Sequence, residues 1–203
     1  MESISYLHIS IVLLLSVCLV VPAYPTIVNT YSNVYDLRIP ADAEETKGWM
    51  TDAILEIPDH QIIDDLDLNL SIVHTQAFDL QIFLKSPAGT RMLINMYDPL
   101  TEFFEGEDYT NTVFDDEAAV RIEDAQAPFT GSFRPKEPGM LSIFDGEDAF
   151  GQWSLQVYDG YFADSGKLTN FGLSITYIPE PATLVILTAG SALALTRKQQ
   201  PAK

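Results

Sequence analysis

Residues Leu66 to Thr90 read LDLNLSIVHTQAFDLQIFLKSPAGT. Leu66, Leu68, Leu70 and Ile72 alternate with Asp67, Asn69 and Ser71, which puts one face in a core and the other in water. The alternation resumes at Phe78, Leu80, Ile82 and Leu84. It breaks at Ser86-Pro87-Ala88-Gly89-Thr90, where Pro fixes φ and Gly frees it. Two half-buried strands joined by a short turn are the expectation for this stretch.

The same pattern extends along the chain. Strands are predicted at 53–57, 63–74, 78–84, 91–96, 141–144, 153–158 and 168–177, with a first one at Val34–Leu37. Trp153, Leu155 and Val157 share a face, as do Phe171, Leu173, Ile175 and Tyr177. The interior has no helical periodicity, and Gly, Pro, Asp and Asn turns separate the short strands. The chain therefore reads as an all-β sandwich.

Both ends differ from this interior. Ile9 to Val20 is almost continuously apolar, and Val21-Pro22-Ala23 offers a signal-peptidase site, so residues 1–23 read as a secretory signal cleaved after Ala23. The n-region has no Lys or Arg. The only cysteine, Cys18, lies inside this signal and follows Val17, which disfavours lipidation. Without it, neither a disulfide framework nor a thiolate zinc site exists. Roughly 150 residues remain between the ends, enough for one well-buried domain.

The net charge is −18. It argues against nucleic acid as a partner, because phosphate binding needs Lys and Arg, and it favours cations. Ten carboxylates against the single Arg121 lie between Asp98 and Asp124.

The motifs Ile72-Val73-His74-Thr75, Phe78-Asp79-Leu80 and Leu84-Lys85-Ser86-Pro87-Ala88-Gly89-Thr90 resemble the signature of the P (Homo B) domain of proprotein convertases and secreted subtilases. Thr112-Val113-Phe114-Asp115-Asp116-Glu117-Ala118, Phe129-Thr130-Gly131-Ser132-Phe133-Arg134-Pro135, Leu141 to Asp148 and Gly151-Gln152-Trp153-Ser154-Leu155 continue the resemblance in order. Asp159, Gly166 and Phe171 to Thr176 complete it, over about residues 30–177. The resemblance implies a jelly-roll β-sandwich.

After Ile178, Pro179-Glu180-Pro181 precedes an apolar run from Ala182 to Leu195 and then Arg197-Lys198. As a helix the run would be roughly 20–25 Å long, short for a bilayer core of about 30 Å. Residues 179–198 resemble the PEP-CTERM sorting signal. That implies an exosortase-type membrane protease as partner, transient anchoring in the inner membrane with the Arg-Lys end inside, and later release to the cell surface or beyond.

The P-domain resemblance also implies a serine protease as the usual neighbour of such a domain, which raises the question of an active site. His60 and His74 are the only histidines beyond the signal. Neither is followed by Gly-Thr, and no subtilase nucleophile segment is present. A nucleophile needs a base within reach and an oxyanion hole, so the chain reads as no enzyme, with His74 ordering a loop. Metal binding has a better basis. Calcium takes six to eight oxygens, and Asp115, Asp116 and Glu117 crowd one loop. Asp145, Glu147 and Asp148 form a second acidic loop beside Gly146. Resemblance to calcium-bearing P domains implies Asp79, Asp115 and Asp116 as ligands, although Phe78 stands where the family motif has Gly. Solvated acidic loops are the competing reading. Phe103-Phe104 and Tyr161-Phe162 either cover the sandwich end or form an exposed aromatic patch. The functional expectation is a calcium-stabilised, non-catalytic exported module that binds at the cell surface or in an extracellular polysaccharide matrix. The alternative is an accessory domain for a separately encoded subtilisin-like protease.

Overall fold

The computed structural model describes residues 26–96, 106–136 and 138–177. Ten strands among the described residues form two open sheets. In chain order they are β1 Ile27–Ile39, β2 Gly48–Trp49, β3 Ala53–Ile57, β4 Asp65–His74, β5 Leu80–Lys85, β6 Arg91–Asn95, β7 Tyr109–Phe114, β8 Phe129–Phe133, β9 Gly151–Asp159 and β10 Gly166–Tyr177. The longer sheet runs β1-β10-β4-β7-β8 and is antiparallel except for the parallel β7–β8 pair. The shorter runs β2-β9-β5-β6, and β3 continues the β2 edge along β9.

The opening stretch folds as its alternation dictates. Leu66, Leu68, Leu70 and Ile72 are buried, while Asp67, Asn69 and Ser71 on the opposite face keep partial access to water. From the facing sheet, β9 contributes Trp153, Leu155 and Val157. The Trp153 ring meets Phe144 edge-on at 5.2 Å, and its indole N–H donates to the Ala149 carbonyl at 2.9 Å. Burying a ring of this size stabilises strongly, and truncation to Ala costs about 3–5 kcal/mol.

Three differences from the sequence reading have physical causes. Residues 141–144 form a 3₁₀ turn rather than a strand. Leu141 and Phe144 are buried while Ser142 and Ile143 are exposed, and a three-residue repeat brings the two apolar positions to one side. β7 and β8 were not expected as strands. In β7 the register with both neighbours shifts at Asn111, whose φ is 49°, and this bulge erases the alternation; β8 has Gly131 at φ 101° and fully buries only Phe129. The predicted first strand, Val34–Leu37, is the irregular middle of the much longer β1, where the register with β10 shifts.

Candidate functional site

The carboxylates expected as metal ligands fall in three separate places. Strand parity explains two of them, because every second residue of a strand shares a face. On β4 the inward set continues past Ile72 to His74, and on β9 it continues past Val157 to Asp159. Both polar residues are buried, and they meet with His74 Nε2 3.3 Å from Asp159 Oδ2. His74 Nδ1 lies 2.8 Å from the Gln76 carbonyl, and Asp159 Oδ1 accepts the Tyr161 N–H at 3.2 Å. Gly166 on β10 passes so close that a Cβ there would collide with the Val73 carbonyl and the His74 ring.

Asp79 closes the 3₁₀ turn Ala77–Asp79 next to this pair and is only 6% exposed. Burial, foremost, and the nearby charges of Asp164 and Asp159 push its carboxyl up to about 7, with His74 opposing. Asp164 is held from the other side by the Thr75 hydroxyl at 2.8 Å.

The outward face of the opposite end of β4 carries Asp65 and Asp67. The register Leu68↔Phe114 brings them alongside the Asp115-Asp116-Glu117 turn that follows β7. Burial, then Asp115, Asp65, Glu117 and Asp116, raises Asp67 to about 6. Asp65 is raised by burial and the charges of Asp115, Asp116 and Asp64, against a backbone hydrogen bond from Leu66. The same neighbourhood raises Asp145, by burial and then Asp65, Asp64 and Asp116. Glu117 is raised chiefly by its contact with the Asp115 carboxyl. Asp116 already has both oxygens engaged, accepting the Leu141 and Ser142 N–H groups at 2.9 Å each. Asp115 Oδ1 accepts the Glu117 N–H at 2.7 Å. From Asp67 to His74 is seven residues of extended chain, roughly 23 Å, so Asp79 and Asp115 cannot share an ion.

Asp148 stands in the third place. Its Oδ2 is 2.7 Å from His60 Nδ1, which lowers the carboxyl, and the His60 ring stacks on Phe150 at 3.9 Å. Among the described residues no three His, Cys, Asp or Glu side chains converge tightly enough to hold a metal by themselves. No described Ser or Thr hydroxyl bonds to either imidazole.

A cluster absent from the sequence reading lies on the outer face of the shorter sheet. Trp49, 48% exposed, packs 5.0 Å from Tyr158 and 5.9 Å from Phe83. The Arg91 guanidinium sits 3.6 Å over the Phe83 ring and donates from Nε to Gln156 at 2.7 Å. Gln156 and Ser154 in turn donate to Asp52 at 2.8 and 2.9 Å. A groove of about 340 Å³ continues this face between Asp52, Ile54, Lys85, Gln152 and Ser154. These residues are scattered in sequence, and only the pairing of β2 and β5 with β9 assembles them. Of the expected aromatic patches, Tyr161 and Phe162 are exposed and stacked at 4.5 Å, whereas Phe103-Phe104 lies outside the described residues. The signal (1–23) and tail (179–198) readings also lie outside them. Among the described residues no helix is long and apolar enough to cross a membrane.

The described residues thus form an all-β sandwich with a buried His–Asp pair where β4 and β9 end. The proprotein convertase P-domain profile matches residues 63–175, over half of the chain, and the chain belongs to that family. Among solved structures, the serine protease of Aeromonas sobria is similar at 20% identity and a TM-score of 0.48, over 77% of this chain and 28% of that one. The same organism's serine protease in complex with its chaperone is similar at 19% identity and 0.47, over 76% and 27%. This chain thus spans under a third of those chains. No curated protein matches it in sequence.

Proposed function

We propose that this P domain is a non-catalytic, exported binding module that attaches to neutral polysaccharide at the cell surface or in the surrounding matrix. The observation that carries the reading is the outer face of the shorter sheet. Trp49 and Tyr158 offer ring faces for the apolar side of a sugar. Beside them Ser154 and Gln156 donate to Asp52 and Gln152 donates to Glu56, which holds polar groups in place for hydroxyls. Lys85 and Arg91 balance Asp52 and Glu56 on this face, so it suits an uncharged polymer, while the net charge of −18 repels acidic ones.

The proposal includes a jelly-roll connectivity for the sandwich, and export by the N-terminal signal. It also includes retention by the Pro179-Glu180-Pro181 tail until an exosortase-type protease acts. Calcium enters the same reading at the Asp115–Glu117 turn, with Asp145. Asp65 and Asp67 crowd that turn with like charge, and the raised carboxyls there favour a neutralising cation. Its remaining oxygens would be carbonyls and water.

Affinity electrophoresis of the full chain through gels containing the host's extracellular polysaccharide tests the proposal. The wild type is retarded. Trp49→Ala weakens retardation about tenfold, the effect of losing roughly 1.4 kcal/mol from one aromatic anchor. Equal retardation of both, or none of either, removes it. Membership of a family named for proprotein convertases supports a second reading, an accessory domain for a separately encoded subtilisin-like protease. Co-purification with such a protease, undisturbed by Trp49→Ala, would favour it.

A further inference from the structure

An edge strand turns every second N–H and C=O toward whatever lies beside the sheet, so open sheets need their edges short, covered or paired. β8 has five residues and runs into Arg134, whose N–H and C=O are taken by Val120 and Ile122. The β6 edge is covered where the Lys136 N–H donates to the Ile94 carbonyl, and Gly139 passes so close to the Leu93 carbonyl that a Cβ would collide with it. β2 and β3 are only two and five residues long. β1 is different. It has 13 residues, and among the described residues no strand pairs with its free side.

From Ile27 to Tyr35 this strand reads Ile-Val-Asn-Thr-Tyr-Ser-Asn-Val-Tyr, without a charge, although the chain carries 29 acidic and 11 basic residues. Charges, prolines and bulges are what keep exposed edges from pairing, and the register shift of β1 comes only after Val34. Charge resumes at Asp36, which pairs with Lys167 at 2.9 Å, and at Arg38. Val28 and Val34 stand on the outer face, 59% and 85% exposed. They flank Tyr31 symmetrically. Tyr31 is fixed on the inner face, where its hydroxyl donates to Asp59 at 2.8 Å and accepts from the Asn29 amide at 3.2 Å.

We propose that two copies of the chain pair edge to edge through β1, antiparallel, with a two-fold axis at Tyr31. In that register Val28 lies opposite Val34 of the second copy, Thr30 opposite Ser32, and Asn29 opposite Asn33. Each pair joins like with like, as a self-complementary two-fold interface requires. Asp36 and Arg38 stay outside the paired stretch. Two chains of charge −18 repel, so a second copy approaches best along an uncharged edge, and this one supplies it. One strand a side makes a small interface, so association in the micromolar range is expected. Opposed residues of an antiparallel pair share a face, which stands the axis perpendicular to the sheet. Both shorter sheets then lie on one side, where β3 already sits beneath β1 with its Ile54 carbonyl accepting the Tyr35 hydroxyl at 2.6 Å. The two Trp49 faces point the same way, and one polymer can be held at both. That consequence rests on the polysaccharide reading, whereas the pairing does not.

Sedimentation and oxidative cross-linking of the full chain test the pairing. Wild type should dimerise at concentrations up to about 100 μM, more strongly in added salt, which screens the repulsion. Val34→Glu should weaken dimerisation about tenfold or more, by setting a carboxylate against Val28 of the second copy, and should leave the melt of the dilute protein unchanged. Ile143→Glu adds the same charge at another exposed site and should leave dimerisation unchanged. In a Cys18→Ser background, Val28→Cys mixed with Val34→Cys should cross-link, because opposed positions bring their Cβ atoms within disulfide reach. Either variant alone should not, since its two copies stand about 20 Å apart along the paired strands. A monomeric wild type, association that survives Val34→Glu or is lost equally in Ile143→Glu, or a mixture that cross-links no better than either cysteine variant alone, overturns the proposal.

Discussion

The two ends of β4 make an instructive contrast. At one end, parity turns His74 inward, where it meets an equally buried Asp159. At the other, parity turns Asp65 and Asp67 outward, where they face the acidic turn after β7. One strand thus carries a polar group matched inside the core and charges crowded at the rim. Position, rather than residue type, decides what each does. A buried polar group must find its partner in the protein, whereas a rim carboxylate can be relieved by water, salt or an ion.

The contrast breaks most visibly at the buried end. Asp159→Ala leaves His74 without its carboxylate in the core and should lower stability by about 3–5 kcal/mol, read as a shift in the urea midpoint. A loss under 1 kcal/mol would mean that the pair contributes no more than a surface contact of about that size.

A pH series in chelator sharpens the contrast between Asp79 and Asp67. Both carboxyls are raised in the folded state, Asp79 to about 7 and Asp67 to about 6, from an ordinary 3.8. The folded chain therefore holds these protons more tightly than the unfolded one. Their stabilising contribution is complete below the ordinary value and is lost as pH rises through the folded values. The melting temperature of the metal-free protein should fall as pH climbs from about 4 to about 7 and then level off. Asp79→Asn should remove the upper part of the decline. Asp67→Asn should remove the smaller, lower part, within about 1 kcal/mol because water screens this half-buried group. A melting temperature flat across this range contradicts the assignment.

Much of the scaffold was legible because its strands alternate. Leu66 to Ile72, Trp153 to Val157 and Phe171 to Ile175 each announce an inward face, and all are buried. The same rule, carried one step further, would have found His74 and Asp159 as a buried pair. A polar residue at the inward parity of a strand end is the signal. β7 was hidden by its bulge at Asn111, β8 by having only Phe129 fully buried, and the turn at 141–144 by apolar residues three apart. Asp115 and Asp116 were visible as a crowded loop, but Asp65 and Asp67 join them only through pairing across β4 and β7. Trp49 gave no sequence signal at all. It lies on a two-residue strand, and its neighbours Phe83, Arg91 and Tyr158 come from three others.

That face bears the account's central claim, and the chain contains its own probe. Of its two tryptophans, Trp153 is fully buried and Trp49 is half exposed. Iodide quenching of tryptophan fluorescence in the full chain therefore reports on Trp49 alone. Added extracellular polysaccharide should shield Trp49 and abolish the quenching. In Trp49→Phe there should be no quenchable fraction to shield. Bound polysaccharide that leaves the quenching of Trp49 unchanged would contradict the assignment of this face as the binding surface.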